Sequence, residues 1–170
     1  MHKIEILNKI IKYKKPITIE KFIELCLYET KGYYKNSNVI GKEGDFTTAP
    51  EISQLFGDTI GLFIKQCWTD KKFKSFNLIE LGPGKGTLIS DIMRVTKKYL
   101  DFNKSLNIFL IEKNKNLINQ QKKLLININN INKKIVWLDR LKFINNNPSI
   151  IIANEFFDCF PIRQFYKKNN

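Results

Sequence analysis

Apolar positions in the first third of the chain recur at helical spacing. Ile4, Leu7, Ile10 and Ile11 predict a helix from Ile4 to Tyr13, broken by Pro16. Thr18 predicts an N-cap for a second amphipathic helix that carries Phe22, Leu25 and Cys26 on one face. Gly32-Tyr33-Tyr34 ends that helix. Thr48-Ala49-Pro50-Glu51 reads as a capping box, opening a helix expected to run to about Trp68. Ile52, Leu55, Phe56, Ile60, Phe63 and Cys67 are its expected buried face, and Gly57 and Gly61 its point of close backbone approach.

From Phe76 onward the pattern changes. Short apolar runs alternate with helical segments: Leu78-Ile79, then Leu106–Glu112, Ile135–Leu138 and Ser149–Ala153. Helical spacing follows Thr87 and again covers Asn116–Ile128. Strand–helix alternation of this kind predicts a parallel, doubly wound α/β sheet. Such sheets bind ligands beyond the carboxyl ends of their strands. Glu80, the glycine loop, Glu112, Asp139 and Asn154-Glu155 all fall at those ends.

The first strand–loop–helix unit, FNLIELGPGKGTLISD, is the most informative stretch. Gly82, Gly84 and Gly86 alternate after Glu80. A dinucleotide loop places its third glycine one residue later, where this chain has Thr87, and a P-loop needs Ser or Thr where this chain has Gly86. A carboxylate at the strand end repels a pyrophosphate and attracts a cation. S-adenosylmethionine (SAM) is cationic at its sulfonium and ammonium and has no phosphate, so the loop points to SAM. Glu112 lies about 26 residues past Gly86, near the spacing at which an acid takes ribose hydroxyls.

Composition narrows the alternatives. The chain has 170 residues, one domain by length. Cys26, Cys67 and Cys159 are isolated and His2 is the sole histidine, so no metal site or disulfide framework is expected. No apolar run reaches bilayer-spanning length, so no membrane insertion is expected, and the first fifteen residues resemble neither a signal nor a transit peptide. The net charge of +13 comes from Lys scattered among Ile and Asn, a solvated surface and not an aromatic-interleaved nucleic-acid patch. No nucleic-acid partner is expected.

Three stretches, GDFTTAPEISQLFGDTIG, IELGPGKGTLISDI and ANEFFDCFPIRQF, resemble the MidA family in order and spacing, as does PITIEKFIELCLY followed by GYY. That family comprises class I SAM-dependent methyltransferases of bacteria and mitochondria, linked to respiratory complex I assembly. The resemblance implies SAM as cofactor and symmetric dimethylation of an arginine in a complex I (NADH–quinone oxidoreductase) subunit as the activity. It implies a Rossmann-like sheet with the first and fourth strands adjacent, here truncated after the fourth strand. A helical region at 1–72 with a cofactor-covering loop precedes a partial SAM-binding domain at 73–170. By the same resemblance Gly82, Gly84 and Gly86 cradle the methionine part of SAM over Glu80, and Glu112 holds the ribose. Asp45, Thr47 and Thr48 close over the cofactor. Asp139 is expected on the cofactor side from its own place at the third strand's end. Asn154, Glu155 and Asp158 face the acceptor, and Arg163 makes a structural pair. Family members are about twice as long, so a separately encoded second half is an implied partner, and aggregation or inactivity of the fragment alone is expected. The implied compartment is the bacterial cytoplasm, or the mitochondrial matrix in a eukaryote. A non-catalytic scaffold of the same ancestry and a basic nucleic-acid binder stand as the alternative readings.

Overall fold

The computed structural model describes residues 2–29, with side chains from Leu7, and residues 48–126 and 135–167. Two helices lead: α1 (His2–Lys12) and α2 (Ile19–Tyr28). Thr18 caps α2, its hydroxyl accepting from the Lys21 N–H at 3.2 Å. Next come a short α3 (Ala49–Ile52) and a long α4 (Gln54–Lys71). The alternating part is β1 (Phe76–Leu81), α5 (Thr87–Thr96), α6 (Leu100–Ser105), β2 (Leu106–Ile111), α7 (Lys115–Leu125), β3 (Ile135–Leu138) and β4 (Ser149–Ile152).

The four strands form one parallel sheet in the order β3-β2-β1-β4. The first and fourth strands are neighbours, with Leu78 opposite Ile150 and Glu80 opposite Ile152. Every residue of β1 is buried, as expected of a central strand covered on both faces. One face packs Phe76, Leu78, Ile108 and Leu110 against Leu88, Ile89, Ile92 and Met93 of α5. The other carries Ile79, Leu81 and Phe109, with Phe156 over them. Direction reverses at β1, since β2 lies on one side and β4 on the other. That switch point opens a crevice beyond the carboxyl ends of β1 and β4.

The expected single helix from Thr48 to Trp68 is two helices. Ser53 has extended backbone (φ −146°, ψ 122°), and its hydroxyl accepts from the Leu55 N–H, capping α4 afresh. Thr48 does sit at the N-cap of α3, but its side chain makes no capping bond. The buried face matches the expected one in part: Phe56 and Ile60 pack on the core, and Gly57 and Gly61 are the points of close approach. Ile52, Leu55 and Phe63 are 73%, 71% and 65% exposed, whereas Gly57, Gly61 and Ile64 are buried. The cause is close packing of α4 on α5. A Cβ on Gly61 would lie 2.6 Å from the Val95 side chain and 3.1 Å from the Ile92 backbone. The two glycines therefore bring the helices together, and Leu55 and Phe63, off that ridge, turn outward. The helix α6 was missed by the periodicity, being six residues long with a buried Asn103 whose side chain donates to the Thr96 carbonyl.

On the open side of β4, Ile151 is half exposed, and Phe157, Ile162, Phe165 and Tyr166 beyond it are exposed apolar side chains. Arg163 pairs with Glu20 at 2.9 Å, the structural role expected for it.

Candidate functional site

A cavity of about 110 Å³ lies beyond the carboxyl ends of β1 and β4. Three segments line it. The first is Glu80 with the glycine loop, the second is Thr48, Pro50 and Glu51 at α3, and the third is Asn154, Glu155, Asp158 and Cys159 after β4. Seven of the expected site residues thus meet there: Thr48, Glu80, Gly82, Gly84, Asn154, Glu155 and Asp158.

Glu80 is 3% exposed, and its Oε2 has no hydrogen-bond partner. Burial pushes its carboxyl up to about 8. A buried carboxylate without a partner is costly, and a cation or N–H donor in the cavity would relieve it.

The glycine loop has the backbone that its composition demands. Gly82, Gly84 and Gly86 all have positive φ, at 61°, 55° and 87°. Gly86 caps α5 in the left-handed region, and its N–H donates to the Pro83 carbonyl. Gly82 is confined as well: a Cβ there would lie 2.5 Å from Phe156 Cδ2.

A residue the sequence reading passed over holds this loop in place. Gln121 of α7 is fully buried, and its Nε2 donates to the Gly84 carbonyl at 2.8 Å. Its Oε1 accepts from the Trp137 indole N–H of β3, also at 2.8 Å. One amide thereby ties the loop to α7 and β3. No sequence pattern marks it, because Gln120 and Gln121 are adjacent in a polar helix and only packing tells them apart. Gln121→Met should leave two half-buried polar groups, the Gly84 carbonyl and the Trp137 N–H, without this partner and cost about 1–3 kcal/mol. Urea unfolding checks this, with Trp137→Phe, which removes one of the two bonds, expected to cost less. Unchanged midpoints in both variants would mean that the loop does not depend on this link.

Glu112 stands just past β2. Its Oε1 accepts from the N–H groups of Lys113 and Asn114, each at 2.8 Å. Burial raises its pKa, and these two backbone bonds oppose the rise. Glu112 does not line the cavity, nor do Asp139 and Gly86, the last being buried against the Gln121 side chain. Asp139 is exposed and held by the Arg140 guanidinium, with contacts down to 2.9 Å, and that bond keeps its pKa low. Asp45 and Thr47 lie outside the described residues, as do Tyr33 and Tyr34.

The segment after β4 is locally strained. Glu155 has φ 46°, a left-handed conformation uncommon for a residue other than glycine, Asn or Asp. Helix α2 braces this segment, the Tyr28 hydroxyl donating to the Cys159 carbonyl. Two exposed acids, Glu155 and Asp158, and the more enclosed Glu51 therefore line the cavity with a fourth, the buried Glu80. Lys85 is the one cation among the described lining residues. Among the described residues no metal-binding cluster of His, Cys, Asp and Glu occurs, and no helix is long and apolar enough to cross a membrane.

A family model described as "Putative S-adenosyl-L-methionine-dependent methyltransferase" matches residues 59–170. The mitochondrial protein arginine methyltransferase NDUFAF7 of Bos taurus is 35% identical over 178 residues, covering 92% of this chain and 40% of its own length. The Homo sapiens protein of the same name is 33% identical, with the same coverage. A crystal structure of a Burkholderia thailandensis protein bound to S-adenosyl-homocysteine superimposes with a TM-score of 0.72 at 23% identity, covering 91% of this chain and 40% of that one. At that identity the likeness establishes the fold. The chain spans about two fifths of the length of these relatives.

Proposed function

Because the chain belongs to this family of S-adenosyl-L-methionine-dependent methyltransferases, we propose that its cavity binds SAM and serves methyl transfer to a protein arginine. The observation that carries the reading is the buried Glu80 carboxyl, one oxygen of it unpartnered, in a cavity lined by the left-handed Gly82 and Gly84. The ammonium of SAM stabilises the ionised form of this carboxyl, which a phosphate would disfavour. The residues present fit the cofactor.

Bound in the cavity, SAM supplies an electrophilic methyl group. The chain's own residues then have distinct tasks. The glycine loop gives the methionine part close access to the backbone, with Glu80 beneath. Thr48 covers it from α3, and the proposed covering role extends to Asp45 and Thr47. Glu112 keeps Oε2 unbonded among the described residues and offers it to the ribose hydroxyls. Asp139 is the remaining proposed cofactor-side acid. Glu155 and Asn154 orient the acceptor guanidinium by paired hydrogen bonds, and Asp158 accepts the proton lost as the nitrogen is methylated. The acidic lining suits a cationic acceptor side chain.

The names of the relatives support arginine as the acceptor. We further place that arginine in a complex I subunit, and the activity in the compartment where that complex is assembled. The open edge of β4 with the apolar side chains beyond it supports a covering polypeptide outside these residues, in one chain or separately encoded. The test is calorimetry with S-adenosyl-homocysteine and NAD, followed by methyl transfer to arginine peptides with and without the covering segment. Tighter binding of NAD would sink the reading.

Glu112→Ala should weaken S-adenosyl-homocysteine by about 1–3 kcal/mol. A 2′,3′-dideoxy analogue should lose much less. Equal losses for the two ligands would place Glu112 in folding and not in ribose recognition.

A further inference from the structure

Lys85 is held loosely in this cavity. Its ammonium makes no hydrogen bond among the described residues, and its nearest carboxylate oxygen, Glu51 Oε1, is 3.8 Å away. That exceeds the 2.7–2.9 Å of a charge-assisted hydrogen bond. Glu51 is the more enclosed partner, its side chain 11% exposed against 38% for Lys85. Both line the cavity with Glu80, whose Oε2 is buried and unpaired. The cavity therefore offers one cation and one unsatisfied buried carboxylate, the pair of charges that a zwitterionic amino-acid end requires. Glu51 competes for the cation.

We propose that Lys85 and Glu51 form an occupancy latch, in which Lys85 receives the carboxylate of the methyl donor's methionine end and Glu51, displaced from it, turns to the cationic acceptor. This rests on the reading of the cavity as the donor site. Before the donor enters, the Lys85 charge partly neutralises Glu51. Once the donor carboxylate engages Lys85, Glu51 presents a full negative charge beside Glu155 and Asp158. Donor binding then raises acceptor affinity, and by linkage the acceptor raises donor affinity.

Calorimetry with two ligands tests the latch: S-adenosyl-homocysteine, which has the amino-acid end, and 5′-methylthioadenosine, which lacks it. Lys85→Met should weaken S-adenosyl-homocysteine at least about tenfold and leave methylthioadenosine unchanged, while Lys85→Arg retains both affinities. Glu51→Gln should tighten S-adenosyl-homocysteine, since the competitor for Lys85 is gone. Arginine amide should bind the S-adenosyl-homocysteine-loaded protein more tightly than the free protein, and Glu51→Gln should remove that difference. Methylthioadenosine binding reports in every variant that the site is folded. If wild-type protein binds neither adenosine ligand, the donor-site reading itself fails. If it binds both and Lys85→Met matches wild type, the latch fails while the donor site stands. Weaker S-adenosyl-homocysteine binding by Glu51→Gln, or equal arginine amide affinity with and without the donor product, also overturns the latch.

Discussion

Ligand-free protein is expected to lose stability as pH rises from about 5 to about 8, and Glu80→Gln is expected to abolish most of that loss. Glu80 sits at 3% exposure with one carboxylate oxygen unbonded, and burial lifts its pKa from 4.5 to about 8. Its folded pKa is thus above its unfolded one. Stability from the protonated form is fully present below the unfolded value and is lost as pH climbs through the folded value. Within that window each pH unit costs up to about 1.4 kcal/mol. The whole effect is a few kcal/mol, a large share of the ~5–15 kcal/mol that holds a domain together. Thermal melts of wild type and Glu80→Gln across this range check it. Superimposable profiles would mean that Glu80 ionises as freely as a surface acid. A cationic ligand should reverse the trend, because it favours the ionised carboxylate. Binding of S-adenosyl-homocysteine near pH 7 should therefore release a proton, visible as a buffer-dependent calorimetric enthalpy.

Gly82→Ala is expected to destabilise the fold and to abolish ligand binding together. The backbone at Gly82 is left-handed, which costs a residue with a Cβ about 1–2 kcal/mol. That Cβ would also lie 2.5 Å from Phe156 Cδ2 and 3.0 Å from Cε2. Phe156 has little room to retreat: it packs on Ile79, Leu81 and Phe109 and meets the rings of Phe157 and Phe160 edge to face. Overpacking of this kind adds about 1–3 kcal/mol. Because Phe156 follows Glu155 directly, its displacement carries the cavity-lining segment from Asn154 to Cys159 with it. Urea midpoints and calorimetry with S-adenosyl-homocysteine measure the two losses. Adding Phe156→Ala to Gly82→Ala should restore part of the binding, since it removes the overlap but not the backbone strain. A Gly82→Ala protein with unchanged midpoint and affinity would show that the loop is not wedged against Phe156.

Local chemistry made the strand–loop–helix unit legible. Three alternating glycines after a buried strand all take positive φ, as residues spared a Cβ can, and Glu80 meets them where a strand-end acid must. The four strands were legible for the same reason: short, β-branched apolar runs bounded by polar turns have few alternatives. Helix α4 was read less well. Of its predicted buried stripe Phe56 and Ile60 do pack on the core, yet the glycine ridge buries itself on α5 and leaves Leu55 and Phe63 out. Hydrophobicity alone ranks Leu above Gly for burial, and interhelical distance decides the opposite.

The sequence by itself determined the α/β class, the glycine loop, the acid at its base and the acidic segment after the fourth strand. These depend on backbone propensity and charge within a few residues of one another. Only the tertiary structure decided which of the separated acids share a cavity, bringing Glu51, Glu80, Glu155 and Asp158 together and leaving Glu112 and Asp139 off its lining. It also decided that Gln121, and not Gln120, bridges Gly84 to Trp137. Such choices follow from how helices and strands distant along the chain are rotated and spaced against one another. Those orientations are set by the packing of the whole core, which no local window of sequence contains.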